Sequence, residues 1–317
     1  MHLADGFLNA ATCAGTGLAA GGAVAVALHQ VRRSMGDRLV PLMGVMSACI
    51  FSAQMVNFPV PGVPGASGHL VGGVLAAVVL GPWAGVLAMT VVLIVQCLLF
   101  YDGGLTALGA NALNMAVVGP LAGYAVYAMA RKFVRGPPGI VFGAVVAAWV
   151  AVQLSAALCA LELWMSGDFP LAFVLPAMLL VHSVIGVGEA LITGMVVAFL
   201  VRVRPEMIYD APASVSSGVR WKYVTAAGLL AALIVAFFLS PLASAAPDGL
   251  EHVAGDLPIA AAPAFLPTPM PDYLVPGLGG IWLATSLAGV LGSLVVFALA
   301  WILARGLKRH LAESASS

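Results

Sequence analysis

The chain has 317 residues, of which 62% are hydrophobic and only 8% are charged, and its formal net charge is zero. A soluble globular domain has about 25% charged residues, so this composition excludes an ordinary soluble protein, and the absence of a basic domain excludes nucleic-acid binding. We therefore expect an all-α integral membrane protein, a polytopic helical bundle, because the apolar runs lack the strict alternation of barrel strands.

Nine apolar segments predict nine membrane spans. In chain order they lie near residues 8–29, 39–57, 69–80, 84–101, 107–130, 139–163, 171–201, 222–241 and 279–304. The third segment is short and rich in glycine, which is acceptable at membrane depth if neighbouring helices bury it. The seventh is long enough to be tilted or broken.

The basic residues predict the orientation of these spans. With nine spans, all 13 Lys and Arg residues fall on one side, and the positive-inside rule makes that side cytoplasmic. The N-terminus is then outside and the C-terminus cytoplasmic, in a multi-pass protein of the inner (cytoplasmic) membrane.

A Pro-rich stretch at residues 240–280 and a polar stretch after Pro205 divide the chain. We expect a seven-span body at 1–206, a cytoplasmic linker at 207–220 and a two-span C-terminal hairpin at 221–317. The Pro-rich stretch would form the outer loop of that hairpin, because prolines and small residues oppose a long helix.

The first two residues carry the strongest chemical signal in the chain. The amine of Met1, the amide nitrogen of His2 and the His2 imidazole can close five- and six-membered chelate rings around one metal ion. Nitrogen donors in a tetragonal arrangement suit Ni(II) or Cu(II), and imidazole also suits Co(II) and Zn(II). No Lys or Arg precedes Arg32, so a signal peptide is not expected.

His69 is the candidate fourth donor. It is predicted on the same side as His2 and at a similar depth, directly after a loop that contains Gly62, Gly65 and Gly68. Glycines allow such a loop to fold closely over a terminus. The spacing alone leaves a second interpretation open, in which the Met-His start is accidental and His69 only begins a helix.

Two further polar groups lie within predicted spans. His182 and Glu189 are seven residues apart, so one helix face carries both, and ionisable groups inside a membrane suggest function. They would form either a relay for protons or ions or a hydrogen-bonded lock inside the bundle. Asn111 and Asn114, one turn apart, would either join helices or support a site near the outer surface.

Four sequence blocks, in order, resemble one known family. They are MHLADGF, GASGHLVGG, LLFYDGGLTALGANALNMAVVGP and HSVIGVGEALITGMVVAFLVRVRPE, and together they span residues 1–206. These blocks resemble the substrate-specificity (S) component of energy-coupling factor transporters for nickel or cobalt, the NikM/CbiM family. The stretch PDGLEHVAGDLP in the C-terminal part resembles the accessory NikN subunit, which makes 221–317 a NikN-like accessory domain with an outer PDGLE loop.

The resemblance implies a metal site and a role. The ligands would be the Met1 amine, the His2 amide nitrogen, the His2 imidazole and the His69 imidazole. The residues expected to support these ligands are Asp5, Ser67, Asn111 and Asn114.

The transported substrate would be Ni2+, with Co2+ next, because the donor set is tetragonal and PDGLE-type regions look nickel-associated. The resemblance also implies partners, namely a membrane coupling (T) subunit and separate cytoplasmic ATPase subunits. The chain has no GxxxxGK[ST] phosphate loop and is expected not to be an enzyme. The alternative function is an ion-coupled secondary transporter that uses His182 and Glu189.

Overall fold

Helices form most of the protein, because a backbone in lipid must satisfy its hydrogen bonds within each segment. The structure is a computed structural model that describes residues 1–167, 169–210, 220–255 and 265–314. The helices in chain order are α1 (Ala10–Ser34), α2 (Leu39–Gln54), α3 (Gly73–Leu80), α4 (Pro82–Val95), α5 (Leu108–Asn111), α6 (Gly119–Ala130), α7 (Pro137–Met165), α8 (Leu171–Val203), α9 (Trp221–Ile234), α10 (Gly249–Gly255) and α11 (Ile281–Ser314).

Three helices continue into wider π-helical turns. These turns are Gln96–Phe100 after α4, Ala112–Val118 after α5 and Val235–Leu239 after α9. Such turns occur frequently at functional sites, and Gln96 of the first one contacts the candidate site.

Seven helical stretches within the described residues are long and apolar enough to cross a membrane. They are Ala10–Ser34, Pro82–Phe100, Leu108–Ala130, Pro137–Met165, Leu171–Val203, Trp221–Leu242 and Ile281–Arg309. The protein is therefore a mostly helical, multi-pass membrane protein.

Two of the nine predicted spans differ from expectation. The second, α2, has only 16 residues. The third is extended up to Gly72, whose φ of 80° lies in the left-handed region, and only then forms the eight-residue helix α3. Eight helical residues extend about 12 Å, too short to cross a bilayer, and all eight are buried. An apolar run alone does not distinguish a spanning helix from an extended segment followed by a short buried helix.

A small hairpin precedes this extended segment. Strands β1 (Phe58–Pro59) and β2 (Ser67–Gly68) are antiparallel, with Phe58 opposite Gly68 and Pro59 opposite Ser67. The hairpin places His69 directly after β2, at the point where the chain turns into the bundle.

The two C-terminal spanning helices pack against α2. Ser52 of α2 and Ser293 of α11 share a hydrogen bond of 2.8 Å. Gly44 lies against the ring of Phe297, and Gly228 of α9 lies against Val45. Small residues allow such close approach of helices in lipid, so the C-terminal helices join the same bundle. Residues 211–219 of the predicted linker, 256–264 of the Pro-rich stretch and 315–317 of the C-terminal domain lie outside the described residues.

Candidate metal centre

The N-terminal residues are buried inside the bundle, although chain termini usually lie at the surface. Met1 is 4% exposed and Leu3 is fully buried. The side chain of Asn111 accepts a hydrogen bond from the Leu3 amide at 2.8 Å and donates one to the Leu3 carbonyl at 3.0 Å. The Gly104 amide also donates to that carbonyl, at 2.8 Å. These bonds fix the backbone on the C-terminal side of His2.

Asp5 fixes the same segment from its other end. Its carboxylate accepts hydrogen bonds from the amide and the hydroxyl of Thr106, at 2.8 and 2.7 Å. The terminal segment passes so close to Gly104 that a Cβ atom on Gly104 would lie 2.2 Å from the Asp5 nitrogen. The stretch YDGGLT therefore packs against the N-terminal segment, and the glycine at position 104 permits the close approach of the two backbones.

The imidazoles of His2 and His69 lie together. Their ring centroids are 5.3 Å apart and the ring planes are inclined by 28°. The His69 Nδ1 lies 2.9 Å from the Leu70 carbonyl oxygen. A carbonyl only accepts, so Nδ1 carries the proton and Nε2 keeps a free lone pair for a metal ion.

In His2 the Nε2 atom, rather than Nδ1, lies against a neutral acceptor oxygen. This Nε2 lies 3.3 Å from the Gln96 amide oxygen, which is an acceptor. Nδ1 is the ring nitrogen that closes the chelate with the backbone, and it lies 3.1 Å from an Asp102 carboxylate oxygen. Both neighbours of the ring are acceptors, so the single proton of a neutral His2 serves one of them. A metal ion on Nδ1 would pair with the Asp102 carboxylate while Nε2 donates its proton to Gln96.

Asp248 from the C-terminal part completes the cluster. Its Oδ2 accepts a hydrogen bond of 2.7 Å from the Met1 ammonium, and both groups are largely buried. The candidate ligand atoms of His2, His69 and Asp248 all lie within 4.8 Å of one another. Such a cluster of nitrogen and oxygen donors can hold a divalent transition metal.

The protonation states give the cluster excess negative charge. Burial, assisted by the nearby terminal ammonium, lowers the pKa of His69 to about 4. Burial also lowers the pKa of His2, against the opposing effect of Asp102. Both imidazoles are therefore neutral near pH 7.

The terminal ammonium is the one cation among these groups. Burial alone would lower the pKa of the Met1 amine, but the Asp248 carboxylate outweighs it, so this pKa is raised. Burial opposes ionisation of Asp248 too, yet the ammonium holds the pKa of that carboxyl well below its usual value. One ammonium faces the carboxylates of Asp102 and Asp248, and this charge balance attracts a cation.

Two of the predicted supporting residues have other partners. Ser67 donates its backbone amide to the Pro247 carbonyl at 2.8 Å and its hydroxyl to the Ala246 carbonyl at 2.6 Å. Asn114 donates to the Glu162 carboxylate on α7 at 2.7 Å. Ser67 therefore anchors the C-terminal segment, and Asn114 joins two helices.

His182 and Glu189 both lie on α8, but they have different hydrogen-bond partners. Glu189 accepts hydrogen bonds from the backbone amides of Val71 and Gly72, at 2.6 and 2.9 Å, and so ties α8 to the segment that carries His69. His182 lies 2.8 Å from the Met178 carbonyl through Nδ1. Its ring also lines a small cavity together with Met1, His69 and Asp248.

Four side chains at the centre are absent from the sequence-based site: Gln96, Asp102, Asp248 and Tyr273. The Tyr273 hydroxyl donates to Asp102 and accepts from Gln96 at 3.2 Å. Asp102 belongs to the YDGG stretch, Gln96 lies five residues before that stretch, and Asp248 belongs to the PDGLE sequence. The sequence carries no sign that these positions meet, because Asp248 and Met1 are separated by 247 residues.

Two family profiles match the chain. A profile described as the cobalt uptake substrate-specific transmembrane region matches residues 2–207. A profile of the PDGLE domain matches residues 222–309.

Individual relatives are named as metal transport proteins. The chain is 37% identical to a protein of Archaeoglobus fulgidus named as a fused nickel transport protein, NikMN, over 96% of this chain and 98% of that protein. It is 34% identical to the cobalt transport protein CbiM of Sorangium cellulosum, over 66% of this chain and 94% of that one. A crystal structure described as a truncated transition metal transporter matches with a TM-score of 0.58 and 35% identity, over 64% of this chain and 99% of that chain.

Proposed function

Because the chain belongs to the family of cobalt uptake substrate-specific transmembrane regions, we propose that it captures Ni2+ at the outer face of the cytoplasmic membrane and delivers it inward. Its relatives are named as transport proteins, and this chain is likewise a transport protein rather than an enzyme. The observation that carries the proposal is the meeting of the Met1 amine, His2 and His69 in one buried, anionic cluster.

Four nitrogens are the proposed ligands. They are the Met1 amine, the His2 amide nitrogen, the His2 Nδ1 and the His69 Nε2. The free lone pair on the His69 Nε2 supports its assignment, since the His69 Nδ1 lies against the Leu70 carbonyl oxygen. The His2 Nδ1 is assigned because it is the ring nitrogen that can close a chelate ring with the backbone. A four-nitrogen tetragonal set suits Ni(II) better than Co(II). The PDGLE region also favours nickel, because a relative that matches 96% of this chain is named as a fused nickel transport protein.

The proposed transporter needs partners to supply energy. The chain has no phosphate loop, so ATP hydrolysis would occur in separate ATPase subunits that act through a membrane coupling subunit. In the secondary transporter considered above, Glu189 would instead carry protons or ions. Its two backbone hydrogen bonds favour a structural lock over a relay, because both carboxylate oxygens already have partners.

Metal titration of the purified chain tests the site. We expect His69→Ala to weaken Ni(II) binding by at least about 100-fold, because removing a ligand costs more than removing its supporting partner. His29→Ala is the matched control, since His29 is exposed on α1, and it should bind as the wild type does. Unchanged nickel affinity in His69→Ala would contradict the proposed site.

A chain extended by one glycine before Met1 tests the terminal amine. One added residue moves the amine by up to about 3.8 Å and replaces it with a peptide nitrogen. We expect high-affinity nickel binding to be lost while the protein stays folded. Tight binding by the extended chain, measured by calorimetry, would exclude the amine as a ligand.

A further inference from the structure

The PDGLE segment presents one carboxylate oxygen to the terminal amine. Asp248 and Glu251 form a capping box at the start of α10. The Asp248 Oδ1 accepts from the amides of Leu250 and Glu251, at 2.9 and 2.8 Å, and the Glu251 carboxylate accepts from the Asp248 amide at 3.0 Å. Because Oδ1 is occupied by the cap, Oδ2 is the oxygen that reaches Met1, at 2.7 Å.

The body of the bundle fixes this segment on both sides. On one side, the carbonyls of Ala246 and Pro247 accept the hydrogen bonds of Ser67, two residues before His69. On the other side, Gly249 lies against α8, where a Cβ atom would be 2.8 Å from Ile185 and 3.0 Å from His182. The glycine of the motif therefore permits the close approach that brings Asp248 to the amine.

A carboxylate in this position can hold the amine before and after metal binding. The free ammonium has three hydrogens, and a metal-bound amine keeps two, so Oδ2 can accept a hydrogen bond in both states. Carboxylates that bond to a metal ligand orient it and raise its basicity, and their loss typically costs 10- to 100-fold in metal affinity.

We propose that Asp248 is a positioning residue for nickel capture, so that the C-terminal region completes a metal site whose ligands all come from the first two residues and His69. This inference rests on the proposed function, and it assigns the PDGLE segment a direct role at the site. The segment holds the amine where the His2 and His69 nitrogens can share an ion with it.

Asp248→Asn in the full-length chain is the test. Asparagine caps helices as well as aspartate does, so α10 is expected to persist while an amide takes the place of the carboxylate beside the amine. We expect Ni(II) affinity to fall by about 10- to 100-fold. At saturating Ni(II), the d–d absorption band should move to lower energy, because a displaced amine weakens the ligand field. A variant that had merely lost structure would bind less nickel without moving the band.

Glu251→Gln is the matched control. It removes one negative charge from the same short helix and keeps the capping box, in which glutamine serves as glutamate does. We expect wild-type affinity and an unmoved band, because Glu251 does not contact the amine. An equal loss in both variants would show that charge alone matters and would overturn the inference.

The outcomes separate this inference from the proposed function. A wild-type affinity and spectrum in Asp248→Asn, with nickel binding intact in the unaltered chain, would overturn the role of Asp248 alone. Failure of the unaltered chain to bind nickel would overturn both.

Discussion

At the scale of single residues, metal binding requires the Met1 amine to release a proton. The Asp248 carboxylate raises the pKa of this amine despite burial, so the amine is protonated at neutral pH. It must lose that proton before its lone pair can bind a metal ion. The histidines differ, because burial lowers the pKa of His69 to about 4 and keeps this ring neutral above that pH.

The pH dependence of nickel affinity follows from these shifts. The unloaded site carries a proton on the Met1 amine and another on the His2 amide, and the proposed loaded site carries neither, so affinity rises with pH. Between pH 5.5 and 7.5 we expect about a 100-fold rise per pH unit, which is about tenfold for each proton released. Competition titrations with a chelator of known pH dependence measure this slope. A slope of about tenfold would exclude the amide nitrogen as a ligand, and a flat profile would exclude the amine as well.

At the scale of elements, the short loop after the π-helical turn Gln96–Phe100 positions the N-terminal segment. The loop approaches the terminus at Gly104, where a Cβ atom would lie 2.2 Å from the Asp5 nitrogen and 2.6 Å from the Ala4 carbonyl carbon. Both of these atoms belong to backbone, which cannot rotate away as a flexible side chain does. A methyl group at this position must therefore displace the segment that carries Met1 and His2.

Gly104→Ala tests this packing. We expect nickel affinity to fall more than about tenfold, because a small misplacement of ligands is costly, and stability to fall by about 1–3 kcal/mol, as is typical of overpacking. Gly22→Ala on α1 is the control, since a Cβ atom there meets nothing within 4 Å and alanine favours a helix interior. Melting temperatures in detergent and nickel titrations measure both effects. Equal behaviour of the two variants would show that the contact does not position the ligands.

The elements also show what the sequence can predict. Length and hydropathy predict the seven long helices, because a spanning helix must be apolar along its whole length. The same pattern in HLVGGVLAAVVL predicts a span, whereas residues 69–72 are extended and only Gly73–Leu80 is helical. Gly72 breaks the helix there through its left-handed backbone, and a Cβ atom at this position would also lie 2.9 Å from Ile50.

The sequence predicts those residues of the candidate site that a local sequence pattern indicates. The chelating start of the chain and the glycine-rich loop before His69 indicate the two histidines, and their rings lie 5.3 Å apart in the structure. The contact between Met1 and Asp248 depends instead on how the PDGLE segment packs against α8 and against Ser67. Hydropathy and charge patterns do not encode which loops meet, so Asp248 and Tyr273 could not be assigned from the sequence.

At the scale of the whole molecule, the remaining question is what drives the ion inward. Helices α9 and α11 pack against α2, and Pro247 of the PDGLE segment accepts a hydrogen bond from Ser67, two residues before His69. An ion bound among these elements is enclosed, so its release requires their rearrangement. A buried lock such as Glu189 supplies no energy for that change, which is why the proposed function assigns the energy to ATPase partners.

Transport by the complete complex in vesicles tests the energy source. We expect vesicles supplied with ATP on the side of the ATPase subunits to accumulate nickel without an imposed proton gradient. Vesicles given a proton gradient and no ATP should accumulate none. His69→Ala in the ATP-supplied vesicles sets the background, because it removes a proposed ligand and leaves the partners unchanged. Accumulation driven by the proton gradient alone, and lost in Glu189→Gln, would favour the ion-coupled transporter, because Glu189 would then carry the coupling proton rather than hold the segment at Val71 and Gly72.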